Sequence, residues 1–227
     1  MDDRYQRYAI YWTPNPGSGL AGFGSRWFGC VDTFGLAQDL VARGIKAPAV
    51  YGLHATLKAP FRLQDEIEPS ALQDALDEFC AARRPQSGGP LTLGYHQNYL
   101  TLMLKNREAD IGWLAAECVT HFDRFRAPLS EHDRNRWTSE GMTAREAGFL
   151  EEFGYPYVLS EFRFHISLAG PLQDAELEEA AAALGPHVAS FMTEPFQIES
   201  LTLLGEPKDG GVFQTVSRHP FTARCSA

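Results

Sequence analysis

Two four-residue strings constrain this chain more than anything else in it: His54-Ala55-Thr56-Leu57 and His165-Ile166-Ser167-Leu168. Each sets a histidine, an apolar residue, a hydroxyl and a second apolar residue in a stretch of strand-forming character. Side chains two apart on a strand share a face, so His54 and Thr56 are predicted to look one way and Leu53, Ala55 and Leu57 the other. His165 and Ser167 oppose Phe164, Ile166 and Leu168 in the same manner. The segments downstream of the two strings repeat as well. Strands are expected over 53–61 and 162–169, helices over 69–84 and 174–184, and strand pairs over 91–95 with 99–104 and over 196–203 with 212–217. A proline lies six residues beyond each histidine, at Pro60 and Pro171, and each helix exits through a proline, Pro90 or Pro195, before the next strand. The order strand, helix, strand, turn, strand therefore occurs twice. It defines approximate repeat units 50–125 and 160–220 inside a single bilobal domain, 1–227. Two such lobes facing each other across a pseudo-twofold axis bring the two histidines to one cleft.

The remaining punctuation is coarser. A first strand over 7–12 ends in Thr13-Pro14-Asn15-Pro16-Gly17, a cluster of turn formers, and a short helix is expected around 23–28. The run Gly17-Ser18-Gly19-Leu20-Ala21-Gly22 matches a dinucleotide-binding pattern only at its glycines, with no βαβ unit or ribose-binding acid to complete it. Gly88-Gly89-Pro90 reads as a chain break. A second helix is expected over 109–125, and the charged region 126–155 is read as helical from 143 to 153.

Bulk properties narrow the function classes. The chain has 227 residues, with 20 basic and 29 acidic side chains and a formal charge of −9, which opposes nonspecific binding to a long polyanion. A local cationic pocket for a small anion remains compatible with that balance. Cys30, Cys80, Cys118 and Cys225 are far apart and form no CxxC pair, the usage of a reduced, cytoplasmic protein. The polar start, Met1-Asp2-Asp3-Arg4-Tyr5-Gln6-Arg7, lacks the apolar core of a signal peptide. No apolar run approaches the ~20 residues that cross a bilayer. The expected partner is a small phosphorylated substrate, with neither a membrane nor a long nucleic acid; the oligomeric state is open.

The paired strings resemble the 2H phosphoesterase superfamily, whose hallmark is two His-apolar-Thr/Ser-apolar motifs and which includes 2′,3′-cyclic nucleotide phosphodiesterases. More narrowly, Arg7-Tyr8-Ala9-Ile10-Tyr11, His54-Ala55-Thr56-Leu57-Lys58-Ala59-Pro60-Phe61, Gly154-Tyr155-Pro156-Tyr157-Val158 and Phe162-Arg163-Phe164-His165 resemble a bacterial branch often found beside phosphonate-utilisation genes. Ser167 stands where many relatives carry threonine and keeps the hydroxyl. The resemblance implies an α+β fold of two pseudo-symmetric lobes, each an antiparallel sheet with helices on its outer face, around a central cleft. It also implies a phosphodiesterase that uses no cofactor.

The residue types suit that chemistry. Opening a cyclic phosphate with water needs a base for the nucleophile, an acid for the leaving alkoxide and donors for the nonbridging oxygens. Histidine, with an unperturbed pKa near ~6.5, serves either proton role, which makes His54 and His165 the candidate catalytic pair. Thr56 and Ser167 are candidate donors to phosphoryl oxygens. By strand alternation Lys58 continues the face of His54 and Thr56, and Arg163 begins the face of His165 and Ser167. Both are candidate phosphate-binding cations, Arg163 through a guanidinium that can engage two oxygens. Tyr11, on the first strand, is a candidate substrate contact. His96, His121, His132, His187 and His219 share no repeat and read as surface or structural residues. Neither motif histidine has carboxylate or cysteine neighbours at recognised metal-ligand spacings, so a metal-independent mechanism is expected. The same cleft would also serve a protein that binds a phosphometabolite without turning it over.

Overall fold

The computed structural model describes residues 4–106, 109–138 and 141–223; Cys225 and the first three residues lie outside them. The chain begins with β1 (Tyr5–Trp12), followed by α1 (Gly19–Phe28) and α2 (Gln38–Ile45). The glycine-rich run opens α1, where the Ser18 hydroxyl accepts the Ala21 N–H and so satisfies a free helix-terminal donor. Next come β2 (Ala55–Phe61), α3 (Pro69–Ala81), β3 (Gln86–His96), β4 (Tyr99–Leu104) and α4 (Ala109–Phe122). The charged middle holds α5 (Glu131–Trp137) and α6 (Ala144–Phe153), the latter opened by a reciprocal Thr143–Glu146 cap. The chain closes with β5 (His165–Ala169), α7 (Asp174–Val188), β6 (Pro195–Ile198), β7 (Ser200–Pro207) and β8 (Gln214–Pro220).

The strands form two four-stranded antiparallel sheets, ordered β2-β1-β7-β8 and β5-β4-β3-β6. The architecture is α+β, and the sequence repeats interleave in it. The β3–β4 hairpin that follows the first histidine strand belongs to the second histidine's sheet, and the β7–β8 hairpin that follows the second belongs to the first's. The single strand expected over 196–203 is two strands, parted at Glu199 as the chain leaves one sheet for the other. β2 and β5, each an edge strand of its sheet, approach one another.

One core joins the sheets. Ile10 and Trp12 of β1, Leu57 of β2, Leu100 and Leu102 of β4, Ile166 and Leu168 of β5, and Leu201 and Leu203 of β7 share it with α3, α4 and α7. α3 packs on β7 and β8, α7 on β4, α2 on β5, and α4 touches both β2 and β3. β1 is covered on its other face too, where Ala9 and Tyr11 meet Leu204 and Phe213. Among the described residues no helix is long and apolar enough to cross a membrane.

Two departures from the expected strands bear on the site. Gly88-Gly89-Pro90 lies inside β3, because the register shifts between Ser87 and Gly89 and a side chain at Gly88 would stand 2.7 Å from Leu104 Cδ2. The second histidine strand starts at His165, after a 3-10 turn at Leu159–Glu161, so residues 162–164 are irregular. The end of β5 is tied to α1 by the buried Trp27, whose Nε1 donates to the Leu168 carbonyl at 2.7 Å. Trp27→Phe removes that donor and leaves a buried carbonyl short of a partner, so urea unfolding is expected to show a loss of about 1–3 kcal/mol.

Candidate active site

The two motifs are built alike down to their backbone irregularities. Across β1, Tyr11 opposes Thr56 while the preceding residue, Ile10, opposes Lys58, so Leu57 is an extra residue in β2. Across β4, Thr101 opposes Ser167 while Leu100 opposes Ala169, so Leu168 is an extra residue in β5. Each motif thus ends in a β-bulge just after its hydroxyl residue. A bulge bends and twists the strand and re-aims the side chains that flank it.

The imidazoles are held alike as well. His54 Nδ1 lies 2.9 Å from the Gly52 carbonyl, and His165 Nδ1 lies 2.8 Å from the Arg163 carbonyl, two residues upstream in both cases. A carbonyl only accepts, so each Nδ1 carries the proton. The neutral ring then presents Nε2 as a lone pair. Both histidines, with Thr56 and Ser167, line one cleft of about 460 Å³. Burial pulls the His54 pKa down to about 4, against the opposing hydrogen bond to Gly52, with the charge of His165 adding to the fall. Burial lowers that of His165 too, against its hydrogen bond to Arg163, and His96 contributes in the same direction.

Each ring is backed by another ring. Tyr11 stacks on His54 with centroids 4.4 Å apart and planes 20° from parallel. Burial raises its phenol pKa well above the ordinary value, and its Cα pairs with that of Thr56 across the strands. Tyr11 therefore orients the first motif as a neutral phenol. His96, read from the sequence as a surface or structural residue, stacks on His165 at 4.7 Å and lines the same cleft. It arrives from the β3–β4 hairpin, and no local pattern signals it. Tyr51, Tyr99, Trp137, Tyr155 and Tyr157 supply aromatic wall.

The two cations part company. Arg163 lines the cleft, although from the irregular segment before β5 rather than by strand alternation; its Nη1 donates to the Ser160 and Phe162 carbonyls. Lys58 does not line it. The bulge at Leu57 carries Lys58 to the side of Ile10, where it is 3% exposed and its Nζ meets the Val119 carbonyl and Asp123 Oδ1, both at 3.2 Å. Burial lowers the lysine's pKa to about 8, with Asp123 opposing. Burial by itself would raise the Asp123 carboxyl, but hydrogen bonds from Arg126 and the charge of Lys58 bring it below its ordinary value. The reading of Lys58 as a phosphate ligand is thereby corrected: it is an interior ion pair between β2 and the end of α4. His219 is likewise structural, buried between Asp77 and the Ser217 hydroxyl.

A family described as "Protein of unknown function (DUF1045)" matches residues 56–214, and the chain belongs to that family. Ribose 1,5-bisphosphate phosphokinase PhnN of Janthinobacterium sp. (strain Marseille) is 32% identical over 232 residues, covering 96% of this chain and 51% of that protein. The protein of the same name from Laribacter hongkongensis (strain HLHK9) is 29% identical over 221 residues, covering 92% and 50%. The chain thus spans about half the length of the curated relatives it matches. It contains no GxxxxGK[ST] phosphate loop of the kind that cradles a nucleoside triphosphate. Similar solved structures include a phosphoesterase (TM-score 0.47, 13% identity, 96% of this chain and 99% of that one). E. coli LigT complexed with phosphate is another (TM-score 0.45, 12% identity, 97% and 100%).

The different placements of Lys58 and Arg163 set up a direct comparison. Inorganic phosphate, titrated by calorimetry, is expected to bind Lys58→Met within about twofold of the wild type. Arg163→Gln, which loses a charge-assisted donor worth about 1.5–3 kcal/mol, should bind it roughly tenfold more weakly or worse.

Proposed function

We propose that this chain is a metal-independent phosphoesterase that opens a small cyclic phosphodiester by acid-base catalysis between His54 and His165. The observation that carries the reading is the matched pair of imidazoles, each with Nδ1 committed to a carbonyl and both lining one cleft. One Nε2 in its neutral form takes a proton from water as the water oxygen bonds to phosphorus. The other imidazole, protonated, gives its Nε2 proton to the ring oxygen as the P–O bond breaks. The product is a phosphomonoester with a free hydroxyl, and the exchange leaves one proton on the pair. Thr56 and Ser167 donate to the nonbridging oxygens, where charge builds in the transition state. The aromatic wall and the modest cleft volume favour a small substrate over a polymer. The name of the matched relatives makes ribose cyclic phosphates, beside 2′,3′-cyclic nucleotides, the first compounds to assay.

The test is hydrolysis of those compounds by the wild type, His54→Ala and His165→Ala. Each substitution is expected to cost about 10²–10⁴-fold in kcat/KM. Full activity in either variant ends the two-histidine account. Tight binding of a cyclic phosphate without product would mark a phosphometabolite-binding protein instead.

The pH profile has a sign as well. Activity needs one neutral and one protonated imidazole, and burial holds both pKa values below 6.5, that of His54 at about 4. Above the upper of the two the acid is lost, and below the lower the base is lost. The bell of kcat/KM against pH, which reports the free enzyme, should therefore centre on the acid side of 6.5. A bell centred above 7 would contradict it.

A further inference from the structure

We propose that the cleft contains a second anion subsite, formed by His96 and Arg163 on the His165 side, which takes a phosphomonoester group. The substrate is then a small cyclic phosphodiester that also carries a phosphomonoester, a refinement that rests on the phosphoesterase reading.

The distribution of charge is the first support. Among the described residues lining the cleft, Arg163 is the one lysine or arginine, since Lys58 is turned into the interior. It stands at one end of the site, beside the second motif. His96 stacks on His165 at that same end, and the two rings lie 29° from parallel. Arg163 is close enough for its charge to be felt at His96, where it acts with burial to disfavour the imidazolium. An anion between them would offset the Arg163 charge and favour a proton on His96.

Broken symmetry points to the same place. The motifs match in bulge, in imidazole lock and in hydroxyl, and each imidazole has a ring behind it. Behind His54 that ring is Tyr11, buried and neutral. Behind His165 it is His96, partly exposed and able to bear charge. A cyclic phosphodiester brings one negative charge, and one proton shared by His54 and His165 already answers it. Arg163 is a positive charge beyond that need, and His96 is a ring on which a bound anion would favour a proton. A phosphomonoester brings roughly −1.5 to −2 at neutral pH, enough to answer Arg163 and to favour a proton on His96.

The donor geometry is prepared. Nη1 of Arg163 donates to the Ser160 and Phe162 carbonyls at 2.9 and 2.7 Å, which fixes the guanidinium where the cleft adjoins a second pocket that Ser160, Phe162 and Trp113 line. Among the described residues its Nε and Nη2 have no hydrogen-bond partner, and these two share an edge suited to a bidentate phosphate contact. The acids that line the cleft are committed elsewhere. Glu146 accepts the Thr143 N–H and hydroxyl at the start of α6, and Glu161 accepts the Ser160 hydroxyl and lies 3.5 Å from Arg145.

The experiment is equilibrium binding of ribose 1-phosphate, ribose 5-phosphate and ribose 1,5-bisphosphate to the full chain. Wild type, His96→Gln, Arg163→Gln, Arg163→Lys and the double variant His96→Gln/Arg163→Gln are compared, with thermal melting to confirm that each is folded. The bisphosphate is expected to bind at least about tenfold more tightly than the better monophosphate. That ratio should fall below about threefold in either glutamine variant, vanish in the double variant and survive in part in Arg163→Lys, which keeps the charge but not the fork. A bisphosphate that binds the wild type no better than a monophosphate overturns the subsite, and so does an advantage that persists in the double variant. Hydrolysis is scored separately. Turnover of cyclic phosphates without a bisphosphate advantage removes the subsite alone, whereas an advantage without turnover keeps the subsite and removes the phosphoesterase reading.

Discussion

The site depends on a hydrogen bond made twice, from an imidazole Nδ1 to the carbonyl two residues upstream. That bond decides the tautomer, and the tautomer decides which nitrogen is available for chemistry. It is a backbone device, because the acceptor position is set by the turn that leads into each strand. At Gly52 the turn runs through φ +69°, a left-handed conformation that favours glycine. At Arg163 the same carbonyl position follows a 3-10 turn whose first residue, Leu159, is itself at φ +52°. Two different turns thus reach one result. A non-glycine residue in the left-handed region is uncommon and carries strain, and here it lies in the wall of the cleft.

The interleaved topology explains how two copies of one motif hold a fixed relation. If each repeat formed its own sheet, the lobes would meet only through an interface. Instead β3–β4 and β7–β8 are exchanged, so each histidine strand is bonded to a sheet that contains strands of the other repeat. The core is continuous across both sheets. A shift of one lobe against the other would break strand pairing and core packing together, which makes the cleft stiff for reasons separate from any ligand.

Much of this is legible in the sequence, and the parts that are not escape it for identifiable reasons. The repeat, the strand and helix types and the motif faces follow from local pattern, because a period of two or of 3.6 is a local property. Alternation misplaces Lys58 because it assumes an unbroken ladder, and a bulge adds one residue without any change in composition. The run of buried residues Leu57, Lys58 and Ala59 is its trace, but burial is a tertiary fact. Arg163 reaches the cleft by a path that alternation does not describe. His96 escapes a local reading because its role is long-range: it is carried on a hairpin of the first repeat that pairs with the strand of the second histidine. Tyr11 carries a signal, its place on the strand beside the first motif, but its task is to back His54 rather than only to face a ligand.

Two identical imidazoles in identical settings would share one proton equally, and the substrate's orientation alone would pick the acid. The fold supplies matched geometry through the locks and the bulges, and then makes the surroundings unequal. His54 is pressed against a buried phenol that stays neutral, and its charged form is strongly disfavoured. His165 shares its end of the cleft with His96 and Arg163, where a bound anion would favour its charged form. An anion in the proposed subsite would therefore do two things at once: hold the substrate in one orientation, and bias His165 toward the acid and His54 toward the base.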